Sequence, residues 1–476
     1  MTDSTKALHD PEYLDFPSID ERIRNGRHLR TTTPLESHAV WMASADRTEP
    51  LATLEDQSAR RMPDLIPIRY GRMASSPFAY YRGGAAVMAG DLATTPTSGL
   101  VTQLCGDAHL LNFGIFETPE RALIFGLNDF DETLPGPFEW DVKRLAASVE
   151  IAGRELGFSP VARRKATVAT VRAYREAMGE FAEMRNLDVW YARLPARDLK
   201  IRLEELADRR SSAEAKKRIR QALQRDHLRA FDRLVERDGG SLRFISNPPL
   251  LTPVEDLLDG EQRDRYVEVV QEFLRQYRGS LSAERQHLVA SYRYVHMARK
   301  VVGVGSVGTR AWVVLFVGRD NGDPLLLQLK EAPESVLAPY AGPTRCPSQG
   351  RRVVEGQRLM QAAGDHLLGC YDLLAWDGHH RDFYVRQLWD GKASIDVSKL
   401  TPKGLRVYGE SCGWTLARGH ARSGDRIALA AYLGEDGTFE QAIADFATEY
   451  ATTNEGDHAA LLDAVADGRV DALRGI

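Results

Sequence analysis

A chain of 476 residues, 43% of them hydrophobic and 27% charged, can bury a substantial core divided between two or three domains or lobes. Its formal net charge of −5 disfavours wholesale binding to nucleic acid or to an anionic membrane. Cys105, Cys346, Cys370 and Cys412 form no C-x-x-C pair, which argues against a zinc ribbon and a disulfide framework.

The first residues, MTDSTKALHDPEYLDF, carry charges where a signal peptide needs an apolar run, and no stretch of eighteen apolar residues follows. The expectation is a soluble cytoplasmic protein with no membrane partner. Residues 1–60 are polar and turn-rich, with a short helix suggested in PSIDERIRNGR, and are expected to form an N-terminal arm on a larger body. Further on, PFAYYRGGAAVMAGDLA is rich in Gly and Ala. GIFE and ALIFGL then read as two strands around the turn TPER.

From about 140 to 300 the pattern is mainly helical. Ser159-Pro160 supplies an N-cap and a first-turn proline, and Val168, Val171, Tyr174, Met178 and Phe181 follow at helical spacing. The charged stretch 193–238 has only a thin apolar stripe and reads as solvated surface helices rather than a nucleic-acid face. Near 300 the texture turns to strands. VVGVGSVGTRAWVVLFVGR, the turn RDNGDP and LLLQLKEA predict a hairpin. RRVVEGQRLMQAAG predicts a helix, FYVRQLWDGKA a strand with a turn, and the chain is helical again from about 409.

Two groups of residues carry chemistry. In GDAHLLN, Asp107 and Asn112 place a carboxylate and an amide oxygen five residues apart, and the hairpin from Phe113 to Leu127 returns Asp129 and Asp131 to the same loop. Phosphoryl transfer from ATP needs Mg²⁺ held by oxygen ligands and a carboxylate near the attacking hydroxyl. Asn112, Asp129 and Asp131 are the candidate metal ligands.

The pattern G-D-x-H-x-x-N, a hairpin and D-F-D resembles the catalytic loop of aminoglycoside phosphotransferases and related kinase-like enzymes. The resemblance implies Asp107 as catalytic base, Asn112 and Asp129 as Mg²⁺ ligands, and His109 as an architectural support. Cys105 stands where that family usually has His. PFEWDVKRLAASV resembles the later segment in which an Asp, here Asp141, opens a helix and braces the catalytic loop; a plain helix cap would explain it too.

The second group is G-x-G-x-x-G at Gly303, Gly305 and Gly308. A dinucleotide fingerprint needs a helix directly after it, whereas TRAWVVLFV is β-rich, so a strand–loop–strand cover for ATP phosphates is favoured. Such a cover predicts a lysine on the next strand, and Lys330 ends the run LLLQL. Glu355 is the best-placed helix glutamate to orient it, because Glu331 and Glu334 lie too near Lys330 along the chain. Backbone groups from Leu388 to Asp390 would meet adenine as a hinge. This group follows the first by about two hundred residues, the reverse of ordinary kinases, and surface termini permit such a permutation.

The expected fold is therefore α+β, kinase-like and two-lobed, circularly permuted, with extra helices. Its parts are an arm at 1–60, a helical lobe at 61–300, a β-rich lobe at 301–400 and completing helices at 401–476. The blocks SPFAYYRGGA, CGDAHLLNFG, LNDFDET and VGVGSVGTR also resemble an uncharacterised bacterial family over most of residues 60–430. Arg82, between aromatics and glycines, suits either phosphate binding, an acidic acceptor or a structural role. His379-His380 reads as a turn rather than a metal site. The expected function is ATP- and Mg²⁺-dependent phosphoryl transfer to a small-molecule hydroxyl. A protein acceptor, AMP transfer at the same site and a nucleotide-binding pseudokinase regulator are the alternatives.

Overall fold

The computed structural model describes residues 17–475, apart from 207–208, 211–212, 215, 218–226, 302, 375–378 and 389–394. It is mixed α+β. The polar first segment forms α1 (Ile19–Thr32), opened by a capping box in which Glu21 N–H donates to the Ser18 hydroxyl at 3.3 Å and Ser18 N–H donates to Glu21 at 2.8 Å. Arg22 ties the helix to Asp425 through Nε at 2.8 Å, so this segment packs against the C-terminal helices. PFAYYRGGAAVMAGDLA becomes two short helices, α2 (Pro77–Gly83) and a second at Ala85–Leu92.

Next come β1 (Val101–Leu104), β2 (Phe113–Glu117), β3 (Leu123–Leu127) and β4 (Leu134–Pro137). β2 and β3 are the expected hairpin, registered Phe113 opposite Leu127, and β4 returns to pair with β1, Leu134 opposite Leu104. The loops at 105–112 and 128–133 therefore leave the strands side by side. Helix α3 (Phe138–Glu155) follows at once and is buried from Phe138 to Gly153. Helix α4 (Pro160–Glu183) starts at Ser159, whose side chain accepts the Ala162 N–H at 3.3 Å, and buries Val168, Val171, Tyr174, Met178 and Phe181.

The segment before residue 300 is less helical than its composition suggests. β5 (Leu251–Pro253) and β6 (Arg293–Lys300) join the main sheet, Val235–Asp238 pairs with Ser241–Phe244, and a long helix, α5 (Gly260–Gly279), lies between β5 and β6. RYVHMARK hides β6 because four of its eight residues are His, Arg or Lys. A boundary at 300 therefore cuts the sheet. In the charged stretch 193–238, Ala196–Leu206 and His227–Leu234 are helical, and much of the rest lies outside the described residues.

With β7 (Ala311–Val317), β8 (Pro324–Glu331), a helix α6 (Gln349–Met360), β9 (Gly369–Leu374) and β10 (His380–Gln387), the sheet is antiparallel throughout, in the order β9-β10-β8-β7-β6-β5. The runs VVLFV and LLLQL are continuous because both faces of the sheet are covered. Val314, Phe316 and Leu327 pack against Phe273 and Tyr277 of α5, while Val313, Leu315 and Leu326 pack with Phe244 and Leu388.

Finally α7 (Pro402–Ser423) and α8 (Thr438–Ala466) complete the helical core around α3 and α4. A G-x-S-x-G string, Gly409 to Gly413, lies within α7. It is no nucleophile elbow: Ser411 is fully buried and donates to the Val407 carbonyl at 3.0 Å. Its glycines serve contact with α4, since a Cβ on Gly413 would sit 2.2 Å from the Thr170 carbonyl oxygen. Among the described residues no helix is long and apolar enough to cross a membrane.

Candidate active site

The loop after β1 is held from below by Asp141. Its carboxylate accepts the N–H of Cys105 at 2.8 Å and of Gly106 at 3.0 Å, and His420 Nε2 lies 3.3 Å away. Asp141 is the fourth residue of α3, whose N-cap is Pro137, so it braces the loop rather than capping its own helix. Gly106 turns with φ +82°, and a Cβ there would meet the Glu132 carbonyl oxygen at 2.3 Å. That close approach locks the 105–112 loop onto the 128–133 loop.

Hydrogen bonds then orient the polar side chains. Asn112 Nδ2 donates to the Asp107 carbonyl at 2.7 Å, which turns the amide oxygen the other way. Asn128 N–H donates to the Asn112 carbonyl at 2.9 Å, extending the hairpin and setting Asn112 beside Asp129. His109 Nδ1 accepts the Leu111 N–H at 3.2 Å, leaving Nε2 to face Asp107 at 3.6 Å. Burial pushes the His109 imidazole down to about 3, so it is neutral at ordinary pH. Through the Leu111 N–H it ties the loop to itself.

Asp107 has a partner that no motif announces. Arg144, one turn along α3 from Asp141, donates from Nε to Asp107 Oδ1 at 2.6 Å and from Nη2 to the Tyr81 carbonyl at 3.1 Å. Its guanidinium also lies 4.4 Å over the Tyr81 ring. Burial alone would raise the Asp107 carboxyl; the Arg144 charge and hydrogen bond bring it below the usual carboxylate range. Asp107 is thus held as a carboxylate.

Asp131 is the hub of the other half. It receives Lys330 Nζ, the Tyr384 hydroxyl at 2.5 Å and the Ser306 hydroxyl at 3.0 Å. Lys330 and Tyr384 sit directly opposite each other on β8 and β10, which aims both at the same carboxylate. Lys330 is 3% exposed, and its Nζ is 3.9 Å from Asp129 Oδ1. Although burial opposes a charge there, Asp129 and Asp131 hold the Lys330 ammonium well above its ordinary range. The Asp129 carboxyl is pushed up by burial and by Asp131. Glu132, which accepts the Val336 N–H at 2.8 Å, is raised by burial to about 7.

The glycine loop is a strand–loop–strand turn between β6 and β7, and it is stapled down. Arg61 Nη1 donates to the Gly305 carbonyl at 2.8 Å and the Val307 carbonyl at 2.5 Å, and Met62 N–H donates to the Gly308 carbonyl at 2.8 Å. Val301 and Val307 cluster with Leu65 and Ile68, and Val304 with Leu54 and Tyr70. Gly308 needs its φ of +90°, under the Arg61 side chain. Gly303 has no such need: a Cβ there would meet nothing within 4 Å, so protein packing does not demand glycine.

One cleft of about 460 Å³ gathers Asp107, Asn112, Asp129 and Asp131 from one end of the chain with Gly303, Gly305, Lys330 and Leu388 from the other. Gly308 is not among the residues that line it. Leu388 is buried and its N–H donates to the Leu326 carbonyl at 3.0 Å; Trp389 and Asp390 of the expected hinge lie outside the described residues. Among the described residues no group of three His, Cys, Asp or Glu side chains could hold a metal by itself. Of the three expected ligands, Asp131 is committed to Lys330, Tyr384 and Ser306, which leaves Asn112 and Asp129 with oxygens for a cation.

Glu355 is a correction. It lies outside the cleft, 48% exposed, paired with Arg351 Nε at 2.5 Å, and the Cys346 thiol donates to it at 3.3 Å. Helix α6 turns Val353, Val354 and Gly356 inward, so Glu355 faces out, and Asp131 takes the place beside Lys330. Sequence reasoning also missed Arg144, Tyr384, Ser306, Arg61 and Glu132. For Arg144 a signal existed: it follows Asp141 by three, on the same helix face. No curated protein and no solved structure matches the chain. A family model does match, over residues 61–464, and the chain belongs to that family, described as "Uncharacterized protein conserved in bacteria (DUF2252)".

Proposed function

We propose that the protein is a kinase-like phosphotransferase with permuted motif order that moves the γ-phosphoryl group of ATP to the hydroxyl of a small molecule, in the cytoplasm. One observation carries the reading: Lys330 and Asp131, 199 positions apart, form an ion pair inside a cleft that also holds Asp107, Asn112, Asp129 and the glycine loop. Two motifs that are each weak alone predict one another's position.

The donor set fits Mg²⁺ delivered with nucleotide phosphates, because this ion keeps several waters and takes one or two carboxylates plus phosphate oxygens. Asn112 and Asp129 would hold it, and when bound it neutralises charge on the transferring group. Lys330, kept cationic by Asp131, would pair with phosphate oxygens, and Gly303 leaves backbone open to their approach. Asp107 would accept a hydrogen bond from the attacking hydroxyl and align it. Phosphoryl transfer depends chiefly on positioning and charge stabilisation, so a carboxylate of low basicity suffices. The bond from the γ-phosphorus to the bridging oxygen breaks, the acceptor oxygen–phosphorus bond forms, and the hydroxyl proton leaves by way of Asp107 to solvent.

The test is to incubate the protein with a bacterial metabolite extract, Mg²⁺ and ATP labelled on either the γ- or the α-phosphate. Expected is Mg²⁺-dependent movement of the γ label into a small molecule, abolished by Asp129→Asn. Movement of the α label would replace this reading with AMP transfer. ATP bound but never consumed would point to a regulator.

A further inference from the structure

The cations that line the cleft are nearly all spoken for. Lys330 is shared by Asp131 and Asp129, Arg61 holds two carbonyls of the glycine loop, and Arg386 donates to Gln328 Oε1 at 3.0 Å and the Asn128 carbonyl at 3.1 Å. Arg82 differs. It lines the same cleft, yet among the described residues its guanidinium donates no hydrogen bond and closes no ion pair, and its Nε is buried without a partner. A buried guanidinium nitrogen left unmatched is costly, and Arg82 stands on the wall of the cleft, where oxygens of a bound ligand can supply the missing acceptors.

Its position says which ligand. Tyr81, the preceding residue, is welded to α3: its hydroxyl donates to the Arg144 carbonyl at 2.7 Å and its carbonyl accepts Arg144 Nη2 at 3.1 Å. Arg144 in turn holds Asp107. On the other side, the Arg82 carbonyl lies 3.3 Å from where a Gly305 Cβ would be. Arg82 therefore sits between the Asp107 loop and the glycine loop, on the Asp107 side of the cleft. On the phosphotransferase reading, the phosphates of a nucleotide would be met across the cleft by the glycine loop, by Lys330 beside its two carboxylates, and by the cation held at Asn112 and Asp129.

We infer that Arg82 binds an oxyanion carried by the acceptor itself, so that the substrate is a hydroxy compound bearing a phosphate or carboxylate group. A guanidinium suits either, since its paired N–H donors match two oxygens at once. The inference rests on the phosphotransferase reading for the identity of the acceptor, but the anion site stands on the geometry alone. A polycationic acceptor would meet like charge beside Asp107.

The test uses the full chain saturated with Mg²⁺ and a non-hydrolysable ATP analogue. Inorganic phosphate and, separately, acetate are titrated at ionic strength fixed with chloride, and thermal unfolding is followed. Expected is a rise in Tm with one or both anions on the nucleotide-loaded protein, lost in Arg82→Gln and partly kept in Arg82→Lys. Both variants should bind the nucleotide analogue within about twofold of wild type, which also shows that they fold. Equal anion binding by wild type and Arg82→Gln, or none by wild type, overturns the proposal. So does a loss of nucleotide affinity of about tenfold or more in Arg82→Gln, since the guanidinium would then serve ATP. If the analogue itself fails to bind, the phosphotransferase reading falls; the anion titration is then made on the protein alone, and an Arg82-dependent response upholds the site while its absence removes it.

Discussion

Replacing Arg144 by Met keeps most of its volume but strips the Asp107 carboxylate of its charge partner. Breaking a buried ion pair costs about 3–5 kcal/mol, because the surviving charge is left desolvated. Asp107 is 18% exposed on the cleft wall, so water offsets part of that, and about 2–4 kcal/mol is expected from the pair. Loss of the hydrogen bond to the Tyr81 carbonyl and of the cation–π contact adds about 1–2 kcal/mol. Asp107→Asn in the same background removes the stranded charge. The double variant should thus recover about 2 kcal/mol relative to additivity. The pH dependence has a fixed sign. In wild type the Asp107 pKa is depressed, so its contribution is present above the unfolded value near 3.9 and is lost as pH falls through the folded value. The deficit of Arg144→Met should therefore be largest at neutral pH and shrink near pH 4, where the stranded carboxyl takes a proton. Urea unfolding of the four forms at both pH values measures this. A cost under about 1 kcal/mol at neutral pH, or strict additivity with Asp107→Asn, refutes the reasoning.

Glu132→Gln tests the raised carboxyl. Its pKa moves from 4.5 unfolded to about 7 folded, so native stability falls as pH rises across that window; the variant should match wild type near pH 4 and exceed it by up to about 3 kcal/mol near pH 8. Parallel pH profiles for the two would contradict that. Glu355→Ala should change stability by no more than about 0.5 kcal/mol, since it ends one half-exposed pair, whereas Asp131→Asn should cost about 3 kcal/mol by leaving Lys330 buried without its main counter-charge. Melting temperatures of the two variants, measured side by side, decide whether Asp131 or Glu355 steadies Lys330.

Much of the site is legible in local spacing. GIFETPERALIFGL announces a hairpin, and a hairpin necessarily returns Asp129 to Asn112, so the first constellation can be assembled without a structure. The glycine loop is legible too, because β-rich sequence on its far side excludes a dinucleotide turn. What stays hidden depends on which faces meet. Helical periodicity finds α6, but it does not say that Val353 and Val354 rather than Glu355 face the core. Tyr384 reaches Asp131 only through the strand register opposite Lys330, and register between β8 and β10 crosses more than fifty residues. β6 escapes notice since His, Arg and Lys fill four of the eight positions of RYVHMARK and break the apolar run expected of a central strand. The brace at Asp141 follows from a motif, while Arg144 on the same face carries no motif of its own.

The most direct measurement is calorimetric titration of ATP, with and without Mg²⁺, into wild type, Asp129→Asn and Lys330→Ala. One site built from both halves of the chain should bind ATP only weakly without Mg²⁺, and each substitution should weaken Mg²⁺-dependent binding by about tenfold or more. Absence of binding by wild type, or affinity indifferent to both substitutions, would contradict the claim that the Asp129 loop and the Lys330 strand form a single nucleotide site.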